Sequence, residues 1–260
     1  MASLRATSRL ILLTLITCVL FLVFIAGQSV IGLLFPHHAR WRNFMVRNWA
    51  KLASRIIGIR LHVEGSPPEP PFFLVSNHLS YIDIVLLFRL TDAVFVAKSE
   101  LKSWPVIGFM ARAIGIIFID RENIRDIPRV NRLISEYITD QQGIILFPEG
   151  TSSPGSDVLP FKPSLLRYPA VNKMEVSYAS IHYHSNNPDK PAYNHICWWG
   201  DMTFADHFFS LLKLDTFDAF ITFGNNKIID QNRKRLAVKL HQVIKDQFKP
   251  LYKEREYEKA

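Results

Sequence analysis

The feature that most restricts how this chain can fold is an uncharged apolar stretch near its amino terminus. Residues Leu10–Ala26 read LILLTLITCVLFLVFIA and carry no charge. Such a stretch is long enough to cross the hydrocarbon core of a bilayer, roughly 30 Å thick. A cleaved signal peptide usually has a shorter apolar region and a small-residue cleavage site, and the following IAGQ is a poor one. We therefore predict a membrane-anchoring helix over residues 1–36. The alternatives are a buried core helix and a turn at Gly27 and Gln28 that keeps the stretch in one leaflet.

Basic residues flank this stretch on both sides. Arg5 and Arg9 precede it, and a longer series follows: Arg40, Arg42, Arg47, Lys51 and Arg55. Because cytoplasmic flanks of membrane helices are rich in Lys and Arg, we expect a membrane protein whose main body faces the cytoplasm. The formal net charge of +8 also favours an anionic partner, whether nucleic acid, anionic lipid or a phosphorylated substrate.

The segment that follows has the pattern of a basic amphipathic helix. Between Arg40 and Arg60, one helical stripe is apolar and contains two tryptophans, and a neighbouring stripe is basic. We predict that residues 37–63 form this helix at the membrane interface, where indole rings and cationic groups are favoured. A helix packed on the domain core with a solvated basic edge is the alternative, and both can hold at once. The segment has no nucleic-acid-binding motif, so nucleic acid is not expected as a partner.

Residues 64–260 are predicted to form one domain. The proline-rich break Glu64–Pro71 opens it, and short strand-like patterns then alternate with helical ones. Strands are predicted at Phe72–Ser76, Ala93–Ala97, Ile114–Ile119, Gly143–Phe147 and Val176–Tyr183, and helices at Tyr81–Leu90, Trp104–Arg112, Ile124–Gln141 and in the carboxyl-terminal stretch. This alternation predicts an α/β fold with a mostly parallel central sheet flanked by helices, preceded by the N-terminal membrane-anchoring helix.

Polar residues lie just past the carboxyl ends of four predicted strands. They are Asn77-His78, Lys98, Asp120-Arg121 and Pro148–Thr151. Ligands of open α/β sheets bind outside the carboxyl ends of strands, so we expect these four segments to converge on one site.

His78 and Asp83 have a spacing that does not fit one helical face, since an ideal helix would place them about 140° apart. The two side chains can meet only if His78 lies in the turn after a strand and the helix begins a few residues later in the chain, with Ser80 as N-cap. Asp83 then occupies the third helical position of a capping box. Its carboxylate could fix the imidazole and make His78 a general base. On these residues alone, a simple cap beside an ordinary loop histidine is the commoner arrangement.

Other candidate residues are weaker when taken singly. In the Phe147–Ser153 turn, the Gly150 N–H and the Thr151 hydroxyl could bind an oxyanion, although an ordinary turn fits equally well. Arg121 could bind a phosphate or pair with a neighbouring acid. Lys98 and Lys162 are single cations and are most simply interpreted as solvated lysines.

Three blocks with a shared order carry a resemblance to a known family. They are NHLSYID at Asn77–Asp83, GIIFIDR at Gly115–Arg121 and FPEGTSS at Phe147–Ser153. In order and spacing they resemble the glycerolipid acyltransferase family, whose bacterial members include the 1-acylglycerol-3-phosphate acyltransferases. The resemblance covers roughly Phe72–Tyr183.

The resemblance implies transfer of an acyl chain from acyl-CoA or acyl-carrier protein to the free hydroxyl of a lysolipid, with lysophosphatidate as the first candidate acceptor. The family's bacterial members imply that this occurs at the membrane bilayer of the bacterial inner membrane, with the catalytic domain on the cytoplasmic side. It implies that His78 is the general base and that Asp83 orients it. It also implies acceptor binding by the matching residues of the second and third blocks: Arg121, Glu149, Gly150 and Thr151. Lys98 is a further candidate for an oxyanion or phosphate. Neither a metal nor a cofactor is expected, because the thioester donor is already activated.

Two departures leave the acceptor open. The family's fourth motif usually carries a proline in a Val/Ile-rich strand, and Tyr178 lies near that place. The segment Trp198–Leu212 resembles a bacterial branch that includes lyso-ornithine-lipid acyltransferases, whose acceptor has no glycerol phosphate. Another lysolipid, such as lyso-ornithine lipid, is therefore the alternative acceptor.

Overall fold

The computed structural model describes residues 1–34, 39–120 and 126–252. Its α-helices are α1 (Ala2–Leu34), α2 (Ala39–Ile57), α3 (Tyr81–Leu90), α4 (Ile107–Ala113), α5 (Ile127–Tyr137), α6 (Arg167–Val171), α7 (Ala192–His195), α8 (Phe204–Leu212) and α9 (Arg233–Gln247). Its strands are β1 (Ile59–Glu64), β2 (Phe73–Ser76), β3 (Ala93–Lys98), β4 (Ile117–Ile119), β5 (Gly143–Leu146), β6 (Val176–Ser185) and β7 (Phe217–Phe223).

The strands form one sheet in the order β1-β7-β6-β2-β5-β3-β4. Every neighbouring pair is parallel except β6 and β7, which are antiparallel. The predicted fold, a mostly parallel sheet flanked by helices, is confirmed. Because β2 and β5 are neighbours and run in the same direction, their carboxyl ends open at the same edge of the sheet.

The centre of the sheet is apolar on both faces. All four residues of β2 and of β5 are buried, as are the first four of β3. Strands covered by helices on both sides read as continuous Val, Ile, Leu and Phe runs, which is why these three were recognisable in the sequence. The rigid centre of the fold therefore carries the turns that follow β2 and β5.

The predicted amphipathic helix ends earlier than expected. α2 stops at Ile57, and Gly58 follows with φ +91°, a left-handed conformation suited to glycine after a helix. A Cβ at Gly58 would lie 2.6 Å from the Asp215 carbonyl oxygen, so a larger residue would not fit. The chain then enters β1, which pairs with β7 along its whole length. The sheet thus begins inside the segment predicted as the 37–63 helix.

α2 packs on the domain with part of its basic edge buried. Arg42 is 7% exposed, and its Nη2 donates to the Ala93 carbonyl and its Nη1 to the Ile114 carbonyl. Arg47 pairs with Asp92 at 2.7 Å. The alternative of a helix packed on the core therefore describes this face of α2.

α1 is the one helix in the described part of the chain that is long and apolar enough to cross a membrane, judged by length and composition. It runs antiparallel to α2, since the Trp49 indole donates to the Thr17 hydroxyl and the Trp41 indole to the Phe24 carbonyl. Large apolar side chains on its other side are exposed, among them Leu15 and Leu22.

Candidate active site

The turn between β2 and α3 holds His78, as the spacing to Asp83 requires. β2 ends at Ser76 and α3 begins at Tyr81. The Asn77 amide bonds the backbone of Ile181 in both directions, accepting from its N–H at 2.7 Å and donating to its carbonyl at 3.0 Å. Asn77 therefore extends the β2–β6 pairing past the end of β2 and fixes where the turn begins.

Asp83 gathers the donors of this turn. Its Oδ2 lies 2.8 Å from His78 Nδ1 and accepts the backbone N–H groups of Leu79 at 2.7 Å and Ser80 at 3.0 Å. One carboxylate oxygen thus caps the helix and meets the imidazole. The two roles considered from the sequence are compatible in one geometry.

The His78 ring is held firmly but not sealed. It stacks on Phe147 with ring centroids 4.0 Å apart and planes within 9°. Its side chain is 18% exposed, whereas that of Asp83 is not exposed at all. With Nδ1 directed at the carboxylate, Nε2 is the nitrogen left to accept a proton, and no hydrogen bond within the described ranges reaches it.

The loop after β5 holds His78 by its backbone. The His78 N–H donates to Glu149 Oε1 at 2.8 Å, and the His78 carbonyl accepts the Ser153 N–H at 3.0 Å. Residues 150–152, between these two contacts, therefore belong to a loop that is bonded to the turn of His78. The first and third sequence blocks meet here.

Glu149, predicted to bind the acceptor, is 2% exposed. Its second oxygen accepts the Leu159 N–H at 3.3 Å, so both oxygens hold backbone groups. Burial raises the pKa of Glu149 to about 8, against the lowering effect of these two hydrogen bonds. In this conformation the carboxyl group supports the turn that carries His78.

On this loop Gly150 is half-buried and Thr151 is exposed. The Gly150 N–H donates to the Phe147 carbonyl at 3.2 Å, so in this conformation it is engaged in the turn and not directed at an oxyanion. Gly150 has φ +81°, and a Cβ there would lie 2.9 Å from Lys162 Nζ. The glycine thus leaves room for the lysine to cross the turn. The exposed Thr151 hydroxyl donates to the Ser152 carbonyl at 3.4 Å.

Of the two remaining predicted residues, the structure describes Lys98, which lies toward the far edge of the sheet. Lys98 ends β3 and forms an exposed ion pair with Glu100 at 2.6 Å. Arg121 lies outside the described residues. The preceding residue, Asp120, is held by a hydrogen bond from its N–H to Asp126 Oδ2 at 2.9 Å.

One partner of the pair was not predicted from the sequence. The Tyr183 hydroxyl on β6 donates to Asp83 Oδ1 at 2.5 Å, and Tyr183 is 1% exposed. The local sequence offers one signal, a tyrosine within a predicted buried strand. A buried tyrosine hydroxyl needs a polar partner.

The comparisons with known proteins identify the family. The family model described as Acyltransferase matches residues 58–176. The chain is 31% identical over 216 residues to the lyso-ornithine lipid O-acyltransferase of Rhizobium meliloti (strain 1021), covering 76% of this chain and 71% of that protein. The chain belongs to the acyltransferase family.

Other acyltransferases extend the comparison. A 1-acyl-sn-glycerol-3-phosphate acyltransferase of Neisseria gonorrhoeae is 33% identical over 153 residues, which is 58% of this chain and 60% of that protein. The crystal structure of the 1-acyl-sn-glycerophosphate acyltransferase PlsC from Thermotoga maritima has a TM-score of 0.66 at 20% identity, covering 95% of this chain and 98% of that one. This structure shows the same fold, and the resemblance stated from the three blocks is confirmed.

Proposed function

We propose that this acyltransferase moves an acyl chain from an acyl thioester, acyl-CoA or acyl-carrier protein, to the hydroxyl of a lysolipid. The observation that carries the proposal is the buried Asp83 carboxylate on His78 Nδ1, which directs Nε2 outward as a proton acceptor. A thioester is already activated, so a positioned base for the attacking hydroxyl suffices for transfer.

The proposed reaction has two steps. The lysolipid oxygen attacks the thioester carbonyl carbon while its proton passes to His78 Nε2, giving a tetrahedral intermediate. The carbon–sulfur bond then breaks, and the departing sulfur takes the proton from the imidazolium. Asp83 stays ionised throughout and stabilises the imidazolium.

The surroundings of His78 suit a lipid acceptor. Tyr81, directly after the turn, packs against Phe204 at 5.1 Å and Trp198 at 5.9 Å between ring centroids, and Trp104 joins Phe204 at 5.6 Å. This aromatic cluster offers apolar surface beside the turn. Lys162 places a cation on the neighbouring loop, as an anionic headgroup requires.

An acceptor panel tests the function and orders the two candidate headgroups. Purified protein would receive acyl-CoA or acyl-carrier protein with lysophosphatidate, lyso-ornithine lipid or lysophosphatidylethanolamine. We expect turnover of lysolipids, with the highest kcat/KM for lyso-ornithine lipid, because relatives named for that acceptor match the larger share of the chain.

The outcomes separate cleanly. A higher kcat/KM for lysophosphatidate would restore the acceptor expected from the three sequence blocks. Turnover of no lysolipid with either donor would overturn the proposed function.

We also infer that α1 rests in one leaflet, with the domain on the cytoplasmic side that its basic flanks indicate. Arg5 pairs with Asp215 at 3.1 Å, Arg9 donates to the Asp215 carbonyl at 2.8 Å, and the Phe24 carbonyl accepts the Trp41 indole. α1 is therefore tied to the rest of the protein over about 28 Å, at 1.5 Å per residue. A helix held along the domain over that length cannot also leave it to cross the bilayer.

Vesicle flotation tests the role of the exposed face of α1. Replacing Leu15 and Leu22, 56% and 69% exposed, with Asp should lower the vesicle-bound fraction about tenfold, because two apolar anchors are lost. Val238→Asp on α9, equally exposed at 69%, is the matched control and should leave binding unchanged. If the Leu15/Leu22 variant and Val238→Asp lost vesicle binding equally, or if neither lost any, the result would contradict a membrane role for α1.

A further inference from the structure

We propose that Tyr183 is a positioning residue for acyl transfer, acting through Asp83 to hold the imidazole of His78. The inference rests on the proposed function, since it assigns a role within that reaction. No other residue in the described ranges donates to Asp83 Oδ1.

The contact fixes the carboxylate at both ends. Oδ2 is held by the imidazole and by two backbone N–H groups, all from the turn that it caps. Oδ1 is held by a hydroxyl from a strand 100 residues away in the sequence. Without the hydrogen bond from Tyr183, the carboxylate could rotate about the Cβ–Cγ bond of Asp83, and the imidazole would turn with it.

Tyr183 is itself held in place. Its ring packs edge-on against Phe217 of β7 at 6.1 Å between centroids. Two residues earlier on β6, the backbone of Ile181 is bonded to the Asn77 side chain, next to His78 in the sequence. The strand that carries the hydroxyl and the turn that carries the imidazole are therefore locked together.

Four titratable side chains surround the Asp83 carboxylate within the described residues: His78, Tyr183, Glu149 and Cys197. Burial, and then the charge of Asp83, raise the pKa of Tyr183 and of Cys197, so both stay protonated. Burial raises the pKa of Glu149 to about 8. Below neutral pH these three groups therefore stay protonated and do not change the charge beside Asp83.

Tyr183→Phe tests the role with almost no change in volume. We expect kcat per folded molecule to fall about tenfold with KM little changed, since orientation is lost and substrate contacts are not. We also expect the acidic limb of the kcat/KM–pH profile to move to higher pH. Without the hydrogen bond from the Tyr183 hydroxyl, the Asp83 carboxylate stabilises the imidazolium more strongly. Tyr168→Phe is the control; its ring stacks on Phe73 at 6.4 Å, and its hydroxyl bonds no described residue.

A double-mutant cycle distinguishes positioning from support of the fold. In an Asp83→Asn background, Tyr183→Phe should cost little further activity, because both changes act on one unit. Unchanged kcat and an unchanged acidic limb in Tyr183→Phe would overturn the inference, as would full additivity with Asp83→Asn. Urea unfolding measures the folded fraction of each variant. If a lower folded fraction accounted for the whole loss of activity, the inference would be overturned too. Full activity in His78→Ala would instead remove the proposed mechanism beneath it.

Discussion

His78→Ala is expected to lower kcat by about 10³-fold or more while the protein stays folded, because the proton of the attacking hydroxyl loses its acceptor. The side chain is partly exposed and stacks on one ring, that of Phe147, so its loss should cost only about 1–2 kcal/mol of unfolding free energy. Steady-state kinetics on the best acceptor of the panel, with urea unfolding in parallel, measure the two effects separately.

A matched control exists on β6. His184 is exposed, and His184→Ala should leave kcat unchanged. If His78→Ala kept wild-type turnover on every acceptor, the imidazole could not be the base, whatever its geometry.

Asp83→Asn is expected to lower kcat by about 10³-fold with a loss of only about 1 kcal/mol in stability. The amide oxygen can take the place of Oδ2 and keep the imidazole and backbone bonds, and the amide nitrogen can face the Tyr183 oxygen, which is able to accept. The geometry therefore survives, but the charge that stabilises imidazolium is gone. The acidic limb of kcat/KM should move to lower pH for the same reason.

Asp206→Asn provides the control for a carboxylate in the first turn of a helix that contacts no imidazole. Asp206 occupies the same third position in α8 and bonds the N-cap Thr203 hydroxyl at 2.5 Å, but it is exposed. If Asp83 only stabilised the start of α3, both variants would retain turnover and differ only in a small loss of stability. A large rate loss confined to Asp83→Asn would support its role in catalysis.

The sequence was informative about the centre of the fold and about the turn of His78. Buried strands such as Gly143–Leu146 are unbroken apolar runs, so their local pattern was sufficient. The spacing of His78 and Asp83 excluded a shared helical face and required a strand-to-helix turn, where the structure places them.

Features that depend on distant partners were not readable. β1 is mostly exposed and follows a helix through one glycine, so Arg60 and its neighbours looked like a continuation of that helix. Arg42 belonged to a basic stripe, yet it is buried because its long side chain reaches the Ala93 and Ile114 carbonyls. Tyr183 meets a carboxylate 100 residues away, and no local pattern names that partner.

The contacts that hold α1 also set an order of assembly. Arg9, near the start of the chain, donates to the carbonyls of Leu214 and Asp215, more than 200 residues later. At roughly 5–20 residues per second, synthesis needs about 10–40 s to reach that docking site. For most of that interval the apolar helix has been synthesised but the loop that will receive Arg9 has not. The bilayer and α2 are available to α1 before that loop is, so the bonds from Arg9 to the loop can form only after the other contacts of α1.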